Sequence, residues 1–320
     1  MAQTPSSPIL CLGVTPCLQR TLLFDRLRTG DVNRATRIIE TVGGKGTNVA
    51  RVLQVLGGNV RLVGVCGGDT GRRFEALLQE EGVCHSLIPS KQPTRICQTL
   101  IDEATGKVTE LVEEASPLRP EEIAALRRQL TEGLQKSPWL VIAGSPPPDT
   151  APTLYRDFIQ QAHASDRRVI LDTQKEPLRA ALSAAPWLVK LNQQELAVTL
   201  GRNIRTPEET RDAALALIER GAHNVVVTQG PHTVWWVSRQ GIRTFTPPSV
   251  QPVNPIGSGD AMAAGIALGV SRQDSLEASI RLGIACGAAS VQTLTSGVVQ
   301  ADSVLELLAR MDTTHESLGN

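Results

Sequence analysis

Aromatic side chains are scarce in this sequence: four Phe, one Tyr and four Trp make up 3% of its 320 residues. Hydrophobic residues still reach 41%, so the core must rest on Leu, Val, Ile and Ala, the composition of strands buried between helices. An excess of either charge is missing too. Lys+Arg and Asp+Glu are 32 each, with no long run of one sign, which removes the electrostatic footprint of a protein that binds nucleic acid or an anionic membrane. The expected partner is a small molecule or another protein. No apolar run approaches the roughly 20 residues that a membrane-spanning helix needs, and Met1 to Pro8 holds no basic segment leading into an apolar one. A cytoplasmic protein is expected. The six cysteines, Cys11, Cys17, Cys66, Cys84, Cys97 and Cys286, form no C-x-x-C pair. Their mostly apolar surroundings predict buried free thiols in place of disulfides or a metal site.

What the chain does contain is an alternation of strand and helix patterns. Pro8–Val14 reads as a buried strand, and Gln19–Asp25 and Arg34–Glu40 as strands about the turn Thr29-Gly30-Asp31. A helical pattern opens within Thr41–Ala50 and closes at Gly57-Gly58. Strand 60–66, helix 70–80 and strand 83–88 follow. Thr94–Ile101 and Lys107–Val112 then form a hairpin pattern and break the alternation; with the earlier pair they predict a small separate β layer. From Pro120 the pattern is regular, with helices over 120–135, 150–164, 177–184 and 207–220, and strands over 139–144, 168–172, 187–191 and 224–228. A hairpin over 233–245 and two helices end it. Repeated β–α units with apolar strands predict a parallel sheet covered on both faces. No repeat, low-complexity tract or linker divides the chain, so residues 1–320 read as one domain.

The densest chemistry lies in Val253–Gly265, which reads VNPIGSGDAMAAG. Gly257, Ser258 and Gly259 let backbone N–H groups converge at the start of a helix, which suits an anion. A carboxylate in the same turn makes sense if Asp260 takes a proton from a hydroxyl while those N–H groups steady a transferring phosphoryl group. A second glycine turn, Gly43-Gly-Lys-Gly46 with Thr47 and Asn48, opens the first helix. Its spacing fits neither G-x-x-x-x-G-K-[ST] nor G-x-G-x-x-G. Polar residues also collect after the predicted strands, at Ser145, at Asp172 and Thr173, at Asn192 and Glu195, and at Thr228 and Gly230, where parallel sheets bind their ligands.

The two glycine turns together resemble the signature regions of the ribokinase-like, or PfkB, carbohydrate kinases. Lys190-Leu-Asn-Gln-Gln-Glu195 resembles that family's N-x-x-E element and Val227-Thr-Gln-Gly230 its nucleotide-side turn, in the family's order and with similar spacing. The resemblance implies an α/β fold: a three-layer ribokinase-like domain, its mostly parallel sheet between helices, with a small β-sheet lid over about 17–41 and 93–113. It implies ATP as co-substrate and Mg²⁺ beside its phosphates. Asp260 then looks like the catalytic base, with Gly257, Ser258 and Gly259 as the anion hole. Glu195 and Asn192 resemble residues that organise Mg²⁺ through water. Thr228, Gly230, Gly257 and Gly259 would flank the nucleotide and Lys190 reach a phosphate, while the helix face at Cys286 packs either on adenine or on its neighbouring helix.

On the acceptor side, Asp31-Val-Asn-Arg34 and Thr94-Arg95 resemble the branch that contains 1-phosphofructokinases and tagatose-6-phosphate kinases. Arg34, Lys45 and Arg95, if they converge, suit a non-reacting phosphate, with Gly44, Asn48 and Ser145 beside the sugar. Where this branch shows N-P-A-x-D, the chain reads Thr15-Pro-Cys-Leu-Gln19, so Gln19 replaces an expected aspartate. The expected reaction is phosphorylation of a ketohexose phosphate, fructose 1-phosphate before tagatose 6-phosphate or fructose 6-phosphate. A kinase of an unphosphorylated sugar or nucleoside and a non-catalytic sugar-phosphate sensor are the alternatives. A homodimer through the lid sheet is implied by the resemblance alone.

Overall fold

The structure is a computed structural model and describes residues 5–313; the reading of Met1 to Thr4 lies outside them. Two sheets form. The large one has the order β13-β12-β11-β10-β9-β8-β1-β4-β5, from β1 (Ile9–Gly13), β4 (Val60–Gly67), β5 (His85–Ser90), β8 (Trp139–Ala143), β9 (Arg168–Asp172), β10 (Leu188–Asn192), β11 (Asn224–Thr228), β12 (Val234–Ser238) and β13 (Gly241–Phe245). Every pairing from β5 across to β11 is parallel, and only the β11–β12 and β12–β13 pairings at one edge are antiparallel.

Strand residues alternate between two apolar layers, as period-2 geometry requires. Ile9 and Cys11 pack on the side of α1 (Lys45–Val55), α2 (Gly68–Glu80), α8 (Ser258–Ser271), α9 (Leu276–Ser290) and α10 (Ala301–Thr313). Leu10 and Leu12 pack on the side of α3 (Pro120–Leu134), α4 (Leu154–His163), α5 (Lys175–Leu182), α6 (Gln193–Leu200) and α7 (Pro207–Glu219). That is the three-layer α/β fold, with aliphatic residues filling both interfaces. Among the described residues no helix is long and apolar enough to cross a membrane.

The small sheet has the order β3-β2-β6-β7, from β2 (Cys17–Phe24), β3 (Arg37–Gly43), β6 (Arg95–Asp102) and β7 (Lys107–Val112). β2 and β6 pair in parallel at its centre, and each carries an antiparallel edge strand. β3 runs on to Gly43, so the helix expected within Thr41–Ala50 opens only at Lys45. Thr41 and Val42 still pair with Gln19 and Leu18, and the turn comes at Gly44, whose φ of 98° only glycine takes without strain.

Three helices, not two, close the described chain, and the short α6 is an element absent from the sequence pattern. Its boundary is sharp: Asn192 Oδ1 accepts from the Glu195 N–H while Glu195 returns a bond to the Asn192 N–H, a capping box. All six cysteines are free. Cys11, Cys17, Cys97 and Cys286 are buried as expected, whereas Cys66 is half-buried and Cys84 exposed.

Candidate active site

The parallel strands end together beneath the small sheet. A cleft of about 600 Å³ there is lined by Gln19, Lys45, Asn48 and Arg95 on one side and by Gly257–Asp260 on the other. It continues into a second, more apolar cavity of about 840 Å³. Thr228, Gly230, Pro255, Ser258 and Gly259 border both.

Asp260 enters from the first turn of α8. The turn before it depends on two glycines. Gly257 has φ +83°, and a Cβ there would come within 2.6 Å of the Gly297 backbone nitrogen. A Cβ on Gly259 would come within 2.5 Å of Lys190 Nζ. Asp260 is 5% exposed, and Asn48 Nδ2 donates a 2.8 Å hydrogen bond to its Oδ2. Burial pushes its carboxyl up to about 7, with Asp172 adding to the rise and Lys45, Asn48 and Lys190 opposing it. A carboxylate poised near neutrality can accept a proton from a hydroxyl at physiological pH.

Behind it lies an ionic chain, buried at Asp172 and Lys190 and half-buried at Lys45. Lys45 Nζ bonds Asp172 Oδ1 and Glu195 Oε1, both at 2.9 Å, and Lys190 Nζ bonds Asp172 Oδ2 at 2.7 Å. Although burial works against charge at both positions, Asp172 is held down at about 2 by Lys190 and Lys45, and Lys45 is held protonated by Asp172, Glu195 and Asp260. The sequence marked Asp172 only as a polar strand end. Its role as the bridge between two lysines follows from parallel strands β9 and β10 ending side by side, which no local pattern encodes.

The nucleotide-side expectations divide. Thr228 and Gly230 border both cavities, and the larger one is walled by Val250, Val253, Met262, Ile284, Ala288 and Val291, an apolar surface suited to a planar base. Cys286 does not reach it. The thiol is fully buried against α8, where a Cβ on Gly265 would come within 2.8 Å of it, because close packing of α8 on α9 turns that face inward. Lys190 is 3% exposed and tied to Asp172, so it presents its charge from beneath the Gly259 turn.

For Mg²⁺, the donors present fit only indirect binding. Both Glu195 oxygens are engaged, by Lys45 and by the Asn192 N–H, and Asn192 Oδ1 caps α6. Among the described residues no three His, Cys, Asp or Glu side chains cluster as metal ligands. A divalent ion arriving with nucleotide phosphates would keep most of its ligands from phosphate and water.

On the acceptor side the three cations do not converge. Arg34 is exposed and does not line the cleft: its loop is held apart by Asn33, which bonds Arg28 and Asp31. Ser145 is likewise exposed and outside the lining, its carbonyl accepting from the Thr15 hydroxyl at 3.3 Å. Arg95 remains. Its guanidinium donates to the Glu113 and Thr15 carbonyls at 2.9 and 3.1 Å, while Nε has no partner. Gln19 lines the cleft but is 3% exposed, with Nε2 donating to Thr99 Oγ1 at 2.9 Å and Oε1 accepting from the Cys17 thiol at 3.7 Å. Asn48 Oδ1 is buried without a partner and lies against Gly297, where a Cβ would come within 2.5 Å of it. Gly44 makes room by close approach, since a Cβ there would meet the Thr15 carbonyl at 2.8 Å.

A family model described as pfkB family carbohydrate kinase matches residues 9–300. By sequence the chain is similar to the 1-phosphofructokinase of Escherichia coli (strain K12), 31% identical over 317 residues, 96% of this chain and 98% of that protein. It is also similar to the ATP-dependent 6-phosphofructokinase isozyme 2 of the same organism, 32% identical over 291 residues, 90% and 93% of the two chains. Among solved structures, phosphofructokinase-2 from Escherichia coli in complex with fructose-6-phosphate superposes with a TM-score of 0.86 at 30% identity, covering 96% of this chain and 99% of that one.

Proposed function

The chain belongs to the pfkB family of carbohydrate kinases and is an ATP-dependent sugar kinase; from that premise we propose that it phosphorylates a hydroxyl of a ketohexose phosphate. Fructose 1-phosphate, giving the 1,6-bisphosphate, is the acceptor we favour, ahead of tagatose 6-phosphate and fructose 6-phosphate. Relatives at about 30% identity carry both the 1-phosphofructokinase and the 6-phosphofructokinase names, which supports a phosphosugar without choosing its isomer.

The observation that carries the reading is Asp260, buried, oriented by Asn48 and raised to about 7 at the mouth of a glycine turn. The acceptor hydroxyl gives its proton to Asp260 as its oxygen attacks the γ-phosphorus, and the bond from that phosphorus to the β–γ bridging oxygen breaks, releasing ADP. N–H groups of the Gly257–Gly259 turn and the Lys190 ammonium beneath it stabilise the charge that builds on the phosphoryl oxygens. Glu195 and Asn192 would hold Mg²⁺ through water beside the nucleotide phosphates, where the ion would supply further charge neutralisation. Arg95 holds the acceptor's own phosphate, helped by Lys45. We take the chain as one kinase domain whose small sheet acts as a lid, excluding water from this exchange. Its use of ATP fits a cytoplasmic enzyme.

Lid pairing between two copies is part of the same proposal. Ile38 and Leu111 share the face of the small sheet turned away from Gln19 and are 52% and 50% exposed. Sedimentation at several concentrations tests it.

The decisive assay is ADP formation on a panel of hexoses, hexose phosphates and nucleosides, with Asp260→Asn as control. Selective turnover of ketohexose phosphates is the expected result. One observation favours the rival, a kinase of an unphosphorylated sugar: Arg34 lies outside the cleft, leaving fewer cations for a phosphate. Preference for free sugars would establish that rival. Tight binding of a sugar phosphate with no turnover would establish a sensor.

A further inference from the structure

The acceptor cleft lacks a carboxylate at position 19, and the residue present cannot substitute for one. Each end of the Gln19 amide has a partner inside the small sheet, Nε2 on the Thr99 hydroxyl and Oε1 on the Cys17 thiol, and the side chain is only 3% exposed. Turning it onto a ligand would leave buried polar groups unpaired. Two other acids of the cleft are also committed. Glu195 holds Lys45 and the Asn192 N–H, while Asp260 holds Asn48 and faces the reacting hydroxyl.

Glu110 is different. It lies on β7, the edge strand of the small sheet, directly opposite Thr99. Val108, Glu110 and Val112 alternate onto one face of that strand. Val108 borders the apolar cavity, whereas Glu110 and Val112 line the acceptor cleft. Among the described residues the Glu110 carboxylate has no hydrogen bond or ion pair, unlike the other acids of the cleft. Glu110 is exposed on the open side of the cleft, and the partial desolvation there still raises its pKa, against the pull of Arg95 and Lys45. A free acceptor group thus faces the same pocket from two strands away.

We propose that Glu110 is the specificity-determining carboxylate of the acceptor pocket, taking hydrogen bonds from sugar hydroxyls that Gln19 cannot take. A carboxylate has lone pairs enough for two hydroxyl donors, and bonds to a charged acceptor are stronger than those an amide oxygen makes. The proposal rests on the sugar-kinase reading above, and it holds whether or not the sugar carries a phosphate. The opposing role is that of a counter-charge to Arg95. The two roles differ in sign: a counter-charge weakens binding of a phosphorylated acceptor, so its removal would tighten it.

The test is steady-state kinetics of Glu110→Gln and Glu110→Asp, with the acceptor that the unmodified enzyme turns over fastest. For Glu110→Gln the acceptor KM should rise on the order of 10- to 100-fold, with kcat and the KM for ATP changed by no more than about twofold. Glu110→Asp should fall between the two. A deoxy acceptor lacking one of the contacted hydroxyls should lose less with Glu110→Gln than with the unmodified enzyme, the coupling expected of a direct contact. An unchanged or lowered acceptor KM overturns the proposal, and so does a parallel rise in the KM for ATP. Failure of the phosphosugar reading would look different: the unmodified enzyme would prefer a free sugar, and the Glu110 effect would persist on that sugar.

Discussion

Asn48 donates a 2.8 Å hydrogen bond to Asp260 across 212 positions of sequence, joining the helix after the first glycine turn to the helix after the last. The bond fixes one carboxylate oxygen and favours the ionised form. Asn48→Ala should therefore act twice. With the carboxylate no longer held, kcat should fall about 10-fold or more. With one stabilising interaction of the anion gone, the acid limb of the pH–rate profile should move to higher pH. A profile that falls in height without moving would mean that Asn48 acts on the acceptor alone.

The Asp260 carboxyl gives the unmodified enzyme a definite pH dependence. Burial is the main cause of its rise to about 7, and only the ionised form can accept a proton. As pH falls through about 7, the carboxylate protonates and kcat/KM for the acceptor should drop about tenfold per unit; above that range it should level off. Asp260→Asn removes the base at every pH and should lower kcat by roughly 10²- to 10⁴-fold with no acid limb left. A limb that survives in Asp260→Asn would assign the titration to another group.

How far the sequence alone could read this site depends on the residue. Asp260, Lys45 and Asn48 stand in short glycine-marked turns at helix starts, where local chemistry is constrained enough to be legible. The strand and helix alternation likewise predicted a parallel sheet covered on both faces, because aliphatic periodicity is local, while the three-layer fold came from the family resemblance. What was not legible depends on register between distant strands. Asp172 meets Lys190 because β9 and β10 pair side by side and meets Lys45 from the distant start of α1, and Glu110 enters the acceptor cleft only because of its pairing opposite Thr99. Arg34 shows the opposite error: its motif was legible, but the Asn33-braced loop keeps it out of the cleft.

Arg95 carries the phosphate half of the acceptor proposal. Its guanidinium is held by two backbone carbonyls and by no carboxylate, so its charge is left for a ligand. Arg95→Ala should raise KM for a ketohexose phosphate on the order of 10- to 100-fold, in line with the loss of a charge-assisted hydrogen bond. Any slow turnover of the matching free sugar should be unaffected. Equal losses on both acceptors would point to a lid held together by Arg95 instead.

Two alanine substitutions in the anion turn should separate catalysis from stability. At Gly257 the φ of +83° is unfavourable for any side chain, and the new Cβ would meet backbone, the Gly297 nitrogen at 2.6 Å. Gly257→Ala should lower both the thermal midpoint and the activity, since left-handed geometry alone costs about 1–2 kcal/mol. Gly259 lies in the first turn of α8 with no positive φ, where alanine improves helix propensity by up to about 1 kcal/mol. Its Cβ would meet not backbone but the Lys190 ammonium, at 2.5 Å. That ammonium is pinned by its 2.7 Å bond to Asp172, so it must move off the place from which, in the mechanism we propose, it faces the phosphoryl group. The propensity gain and the disturbed ion pair oppose each other in stability, but nothing offsets the loss in the reaction. Gly259→Ala should melt close to the unmodified protein and yet lose about 10-fold or more in kcat; full activity would remove Lys190 from the mechanism.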